Sequence, residues 1–124
     1  MEKKLVFISY SSKDADEVGE VINVLEKAGI SYWKAPEMIP IGSNYAKEIP
    51  RVISECQVFL LIISEASQKS IWVEKEIDFA INNRKTIVPL NISKAPLSDV
   101  FKFYLNNVQS IFYYENEKKA LTKS

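Results

Sequence analysis

The sequence predicts an α/β domain: a parallel sheet with helices on both faces. Short segments rich in Val, Ile, Leu and Phe alternate with segments of helical period, the pattern of strands joined by crossover helices. The segment Val58-Phe59-Leu60-Leu61-Ile62-Ile63 is apolar at every position, as a central strand buried on both faces must be. With 124 residues, 47% of them hydrophobic, the chain can fill one core but not two, so residues 1–124 are read as a single domain.

Strands are predicted over 5–9, 31–34, 58–63, 86–90 and 110–113. The first helix follows 5–9, with Asp14 at its N-cap and Glu17 three residues on, Val18, Val21, Ile22 and Leu25 as its apolar stripe, and Gly29 as its stop. A second helix starts at Ser43, after Gly42, and runs toward Cys56 with Ile49, Val52 and Ile53 inward. Pro50 removes one hydrogen bond from it and predicts a kink or a late start. The third helix spans 71–84 on the stripe Val73, Ile77, Ala80 and Ile81. A short fourth, 97–105, turns Val100, Phe101, Tyr104 and Leu105 inward. The longest irregular connection, 35–42, holds two of the five prolines and one of the three glycines, and long connections in compact domains tend to carry function.

Composition removes several function classes. Sixteen basic and sixteen acidic residues cancel, so no global field draws the chain to nucleic acid or to an anionic membrane. With no histidine and one cysteine, no zinc or haem ligand set and no Ser-His-Asp or Cys-His unit can form, which leaves carboxylates as the leading catalytic groups. Cys56 continues a helix face and reads as a small buried apolar residue without a catalytic role. Three charged residues lead directly into Leu5, too short a run for a signal segment or membrane span, so a cytoplasmic location is expected. The charged tail, 115–124, has no helix breaker and reads as a helix that was cut or that leads into another module, so a longer parent protein is expected.

Three motifs carry chemistry. Phe7-Ile8-Ser9-Tyr10-Ser11-Ser12-Lys13-Asp14 is a buried strand that turns polar at its C-terminal end and opens into a helix, at the edge where ligands bind open α/β sheets. Its amides, hydroxyls and Lys13 either hold a phosphate or cap the helix. Trp33-Lys34-Ala35-Pro36-Glu37 through Pro40-Ile41-Gly42-Ser43 is a strand end, a proline-pinned loop and a helix cap; Trp33 either lines a cleft or belongs to the core. In Trp72-Val73-Glu74-Lys75-Glu76-Ile77, helical spacing puts Trp72 and Glu76 one turn apart, beside the Val73, Ile77, Ala80 stripe. That gives either an aromatic plate and a carboxylate on one rim or an ordinary solvated helix face.

Taken in order, the Ser9-Tyr10-Ser11-Ser12-Lys13-Asp14 turn, the Gly29-Ile30 step into Trp33, the Pro-Gly loop to Ser43, the strand ending Ile63-Ser64, and Ser70-Ile71-Trp72 with Glu76 resemble bacterial TIR (Toll/interleukin-1 receptor) domains of the NAD-cleaving type. The resemblance covers residues 4–114 and implies a flavodoxin-like, doubly wound five-stranded sheet. It implies Glu76 as catalytic carboxylate and Ser9, Tyr10, Ser11, Lys13, Trp33, Ser43 and Trp72 as substrate-binding residues. NAD is then a substrate, with no resident cofactor or metal. Its further implications are self-association with other TIR domains, a fused or associated sensor or effector domain, and a place in bacterial anti-phage defence. Two features depart from the family: Pro50 inside the second helix and the shortened final helix.

Cleaving the nicotinamide-ribose bond needs little acid, because nicotinamide departs neutral while positive charge builds on the ribose; a preorganised anion meets that need. Water would give ADP-ribose and internal capture a cyclic isomer. The rival class is a non-catalytic TIR-TIR interaction module, whose members generally lack the glutamate. A phosphoacceptor receiver would need aspartate where the central strand ends in Ser64, and neither G-x-G-x-x-G nor G-x-x-x-x-G-K-[ST] occurs.

Overall fold

The computed structural model describes residues 5–34, 44–106, 108 and 111–112 of the chain. Five parallel strands, β1 (Leu5–Ser9), β2 (Ser31–Lys34), β3 (Val58–Ile63), β4 (Thr86–Asn91) and β5 (Ile111–Phe112), form one sheet in the order β2-β1-β3-β4-β5. This is the doubly wound, flavodoxin-like order. The first three strands match their predicted bounds and β4 runs one residue further, to Asn91. Because the chain goes outward from β1 to β2 and then crosses back to β3, the strand order reverses between β1 and β3.

Alternation along the strands sorts the core into two layers. Val6, Ile8, Leu60, Ile62 and Leu90 face α1 (Ala15–Lys27), which packs Val18, Val21 and Ile22 against them. Phe7, Phe59, Leu61 and Ile63 face the opposite way, toward α2 (Tyr45–Glu55), α4 (Ile71–Asn82) and α5 (Asp99–Tyr104). Cys56 is buried here among Ile49, Val52 and Ile53, as expected, and burial pushes its thiol pKa up. The helix α2 continues through Pro50 to Glu55, and the Lys85 ammonium donates to the carbonyls of Ser54 and Cys56 at its C-terminal end.

Gly29 ends α1 as predicted. At φ 72° it takes the left-handed turn, with Gly29 N–H donating to the Glu26 carbonyl and Ile30 N–H to that of Leu25. The same pair of bonds ends α4, from Arg84 to Ile81 and from Lys85 to Ala80, with Arg84 at φ 56°.

The start of α1 differs from expectation. Ser11 caps a 3-10 turn, Ser12–Asp14, and Asp14 at the head of α1 makes no capping bond, because its φ and ψ of −102° and 19° depart from the extended geometry a cap uses. A short helix, α3 (Glu65–Gln68), was not predicted. Four residues are too few to show a period; its signal is the reciprocal cap between Ser64 and Ser67. Ile81 and Val100 were expected in the core but are 37% and 44% exposed. At 100° per residue the buried arc of α4 centres on Val73 and Ala80, with Glu76 and Ile77 at its margins and Ile81 beyond it. On α5 Phe101 takes the inward position, and Leu105 does so just past the helix end.

Candidate active site

The central feature of the sheet's inner face is an aromatic row. Phe7 stacks between Trp33 on β2 and Phe59 on β3, with ring centroids 5.2 and 5.4 Å away, all three in register. Of the two readings of Trp33, the structure supports the core one: the ring is half-buried and packed into this layer.

Two residues past Phe7, on the same face, stands Ser9, the last residue of β1, 1% exposed. Its hydroxyl donates to Oε1 of Glu76 at 2.6 Å. Glu76 reaches this point from the second turn of α4, whose start is set by Ser70 accepting from the Val73 N–H at 3.2 Å. Its side chain is 7% exposed and belongs to the buried arc, so the reading of Glu76 as a residue beside the stripe is corrected to one within it. Burial pushes its pKa up to about 7, against the hydrogen bond from Ser9, which favours the charged form. A carboxyl poised near neutrality at the C-terminal end of the strand beside the reversal point is the strongest chemical feature among the described residues.

Trp72, one turn before Glu76, is 55% exposed, with the Lys75 ammonium 5.2 Å from its ring centroid. It stands just outside the buried arc on the side of Glu76. Tyr10 is half-buried and packs on the α1 layer, Ser11 is engaged in capping, and Lys13 is exposed on the 3-10 turn. Ser43 and the loop 35–42 lie outside the described residues. The fold thus brings Ser9 and Glu76 into contact, keeps Trp72 beside them on the surface, and commits Trp33 to the core.

One polar junction at this edge was missed. Ser64, ending the stretch after β3, donates from its hydroxyl to Oδ2 of Asp14 at 2.5 Å while accepting from the Ser67 N–H. It links the β1–α1 turn to α3 across the reversal point. Polar residues at the C-terminal ends of adjacent strands were the available signal. A groove of about 280 Å³ between α3 and the β4–α5 connection, lined by Gln68, Lys69, Pro96 and Ser98 among others, shares no residue with the Ser9–Glu76 pair.

The chain is 35% identical, over 74 residues, to the probable 2′ cyclic ADP-D-ribose synthase TcpO of Methanobrevibacter olleyae, a match covering 59% of this chain and 22% of that protein. It is 29% identical over 89 residues to the 2′ cyclic ADP-D-ribose synthase BtTIR of Bacteroides thetaiotaomicron, covering 68% of this chain and 31% of that one. The matches therefore span less than a third of either relative's length. Among solved structures, the TIR domain of the Toll-related receptor TRR-2 from Hydra magnipapillata superposes with a TM-score of 0.81 at 17% identity, covering 95% of this chain and 91% of that one, which shows the shared fold. The family model described as TIR domain matches residues 6–123, and the chain belongs to that family.

Proposed function

We propose that the chain cleaves NAD at the bond between nicotinamide and ribose, with Glu76 as the catalytic carboxylate. The observation that carries this reading is the placement of Glu76: buried, held by Ser9, and at the C-terminal edge of β1 where the strand order reverses. The names of both curated relatives, synthases of a cyclic ADP-ribose, support NAD as the substrate.

The chemistry follows from charge. The pyridinium of NAD takes the electrons of the glycosidic bond and leaves as neutral nicotinamide, while the ribose becomes cationic. The Glu76 carboxylate opposes that charge in a site of low dielectric, where an anion acts more strongly than in water. The cationic ring also draws Glu76 toward its ionised form on binding, since an opposite charge lowers a carboxyl pKa. Trp72 offers an exposed face on which a ring of the substrate can stack, and Lys13 a cation for a phosphate. Capture of the ribose by water gives ADP-ribose; capture by a group of the same molecule closes a ring. The relatives' names favour ring closure.

The test is nicotinamide release from NAD by concentrated protein, with Glu76→Gln as the control that keeps shape and removes charge. Release that survives the substitution overturns the assignment. The product is read by mass, ring closure leaving it one water lighter than ADP-ribose. Activity is proposed to depend on self-association of the domain, so specific activity should rise with protein concentration; a flat profile counts against that dependence.

A further inference from the structure

Building on that reading, we propose that Ser9 is a positioning residue: its hydroxyl holds Oε1 of Glu76, fixes the plane of the carboxylate, and leaves Oε2 as the oxygen that meets the substrate. The resemblance at sequence level implied a direct substrate contact for Ser9. Its 1% exposure favours action through Glu76 instead.

The geometry is rigid at both ends. β1 is paired on both sides, with Ser9 opposite Leu61 of β3 and the preceding Ile8 opposite Lys34 of β2, so the Ser9 backbone is held in the sheet. Glu76 stands in a capped helix between the buried Val73 and Ala80. Its side chain carries several rotatable bonds, and among the described residues Ser9 is the one donor to it. A single short hydrogen bond to a fixed strand therefore selects its rotamer, the kind of support that holds a reacting group within a fraction of an ångström. Among the described residues no buried side-chain oxygen lacks a partner, so Oε2, which Ser9 does not engage, keeps access to solvent.

Among the described residues no charge competes for this role. On α4 itself, Lys75 lies over Trp72 while Glu74 and Asp78 act on Tyr104 of α5. On α2, Glu48 and Glu55 pair with Arg51, and on α3 Glu65 pairs with Lys69. The remaining charged groups on these elements, Lys47 of α2 and Asp99 and Lys102 of α5, contribute nothing to the state of Glu76, which is governed by burial and by Ser9; β1, β3 and β4 bring no charged side chain to it.

The test compares Ser9→Ala and Ser9→Thr with the wild-type chain. Ser9→Ala should fold, keep KM for NAD within about threefold, and lower kcat by about 10- to 100-fold, the range of one hydrogen bond to a charged group. Its acid limb of kcat should move to higher pH, and Ser9→Thr should recover most of the rate. A raised KM with unchanged kcat and pH profile would establish direct substrate contact and overturn the proposal, as would full activity in Ser9→Ala. Carbon-13 titration of the Glu76 carboxyl separates this from the NAD reading, because it needs no turnover. If the wild type releases no nicotinamide, the NAD reading fails alone. A Glu76 carboxyl that titrates at the same pH in Ser9→Ala and wild type overturns the positioning role.

Discussion

Trp72 and Glu76 stand one helical turn apart on α4, yet the indole is 55% exposed and the carboxyl 7%. In the proposed site the helix therefore offers a surface for a flat ring at one position and a buried group for charge at the other. The two positions should respond differently to substitution. Trp72→Ala should leave stability within about 0.5 kcal/mol, as exposed positions do, and raise KM for NAD. Trp33→Ala removes a ring from the core layer and should cost about 3 kcal/mol in denaturant unfolding.

Glu76→Gln should lower nicotinamide release by about 10²-fold or more, and at the same time stabilise the fold at alkaline pH. An unneutralised buried carboxylate opposes folding, and an amide of the same shape removes that cost. Thermal denaturation at pH 8 should show a higher Tm for the variant. An unchanged or lower Tm would count against a buried anion.

The sign of the pH dependence follows from the raised pKa. Between the ordinary value of 4.5 and about 7, the unfolded chain releases the Glu76 proton while the folded chain keeps it. This contribution to stability is present below pH 4.5, is lost as pH rises to about 7, and amounts to roughly 3 kcal/mol across the window. Urea unfolding from pH 5 to 8 should show this decline, and Glu76→Gln should flatten it. Activity should run the opposite way, rising through pH 7 as the carboxylate forms.

The bond from Ser64 to Asp14 ties the turn after β1 to the turn after β3. Asp14→Ala should cost about 1.5 to 3 kcal/mol, the range for a hydrogen bond to a charged group, and Ser64→Ala somewhat more because the α3 cap is lost as well. A double-mutant cycle should return a coupling above 0.5 kcal/mol, a threshold typical of residues in contact. Additive effects would show that the bond contributes nothing net.

Arg84 adopts the left-handed conformation that Gly29 adopts at the corresponding end of α1. A side chain in that region costs roughly 1 kcal/mol, so Arg84→Gly should raise the unfolding free energy by several tenths to 1 kcal/mol. Gly29→Ala should lower it by a similar amount.

The sheet was legible in the sequence because β1 and β3 are short apolar runs alternating with segments of helical period, and the family motifs stand in order along it. Glu76 was legible as a residue but not as an environment. Periodicity alone places a glutamate beside an apolar stripe at the surface, and only the packing of α4 over Ser9 draws it inside. Asp14 and Ser64 show the same limit: each reads locally as a cap or a strand end, and their bond joins residues separated by fifty positions. Trp33 is placed in the core by its register and stacking with Phe7, a contact between strands that local sequence does not encode. The roles of Ser43 and the loop before it lie outside the described residues.

The two tryptophans of the chain sit in opposite surroundings, Trp33 stacked on Phe7 and Trp72 half in solvent beneath a lysine. Their fluorescence is consequently separable. Acrylamide or iodide will quench Trp72 first, and replacing one indole leaves the other as a lone reporter. Emission from Trp72 should respond to NAD binding at the proposed site, and emission from Trp33 to the melting of the core, so binding and unfolding can be monitored in one cuvette without an added dye.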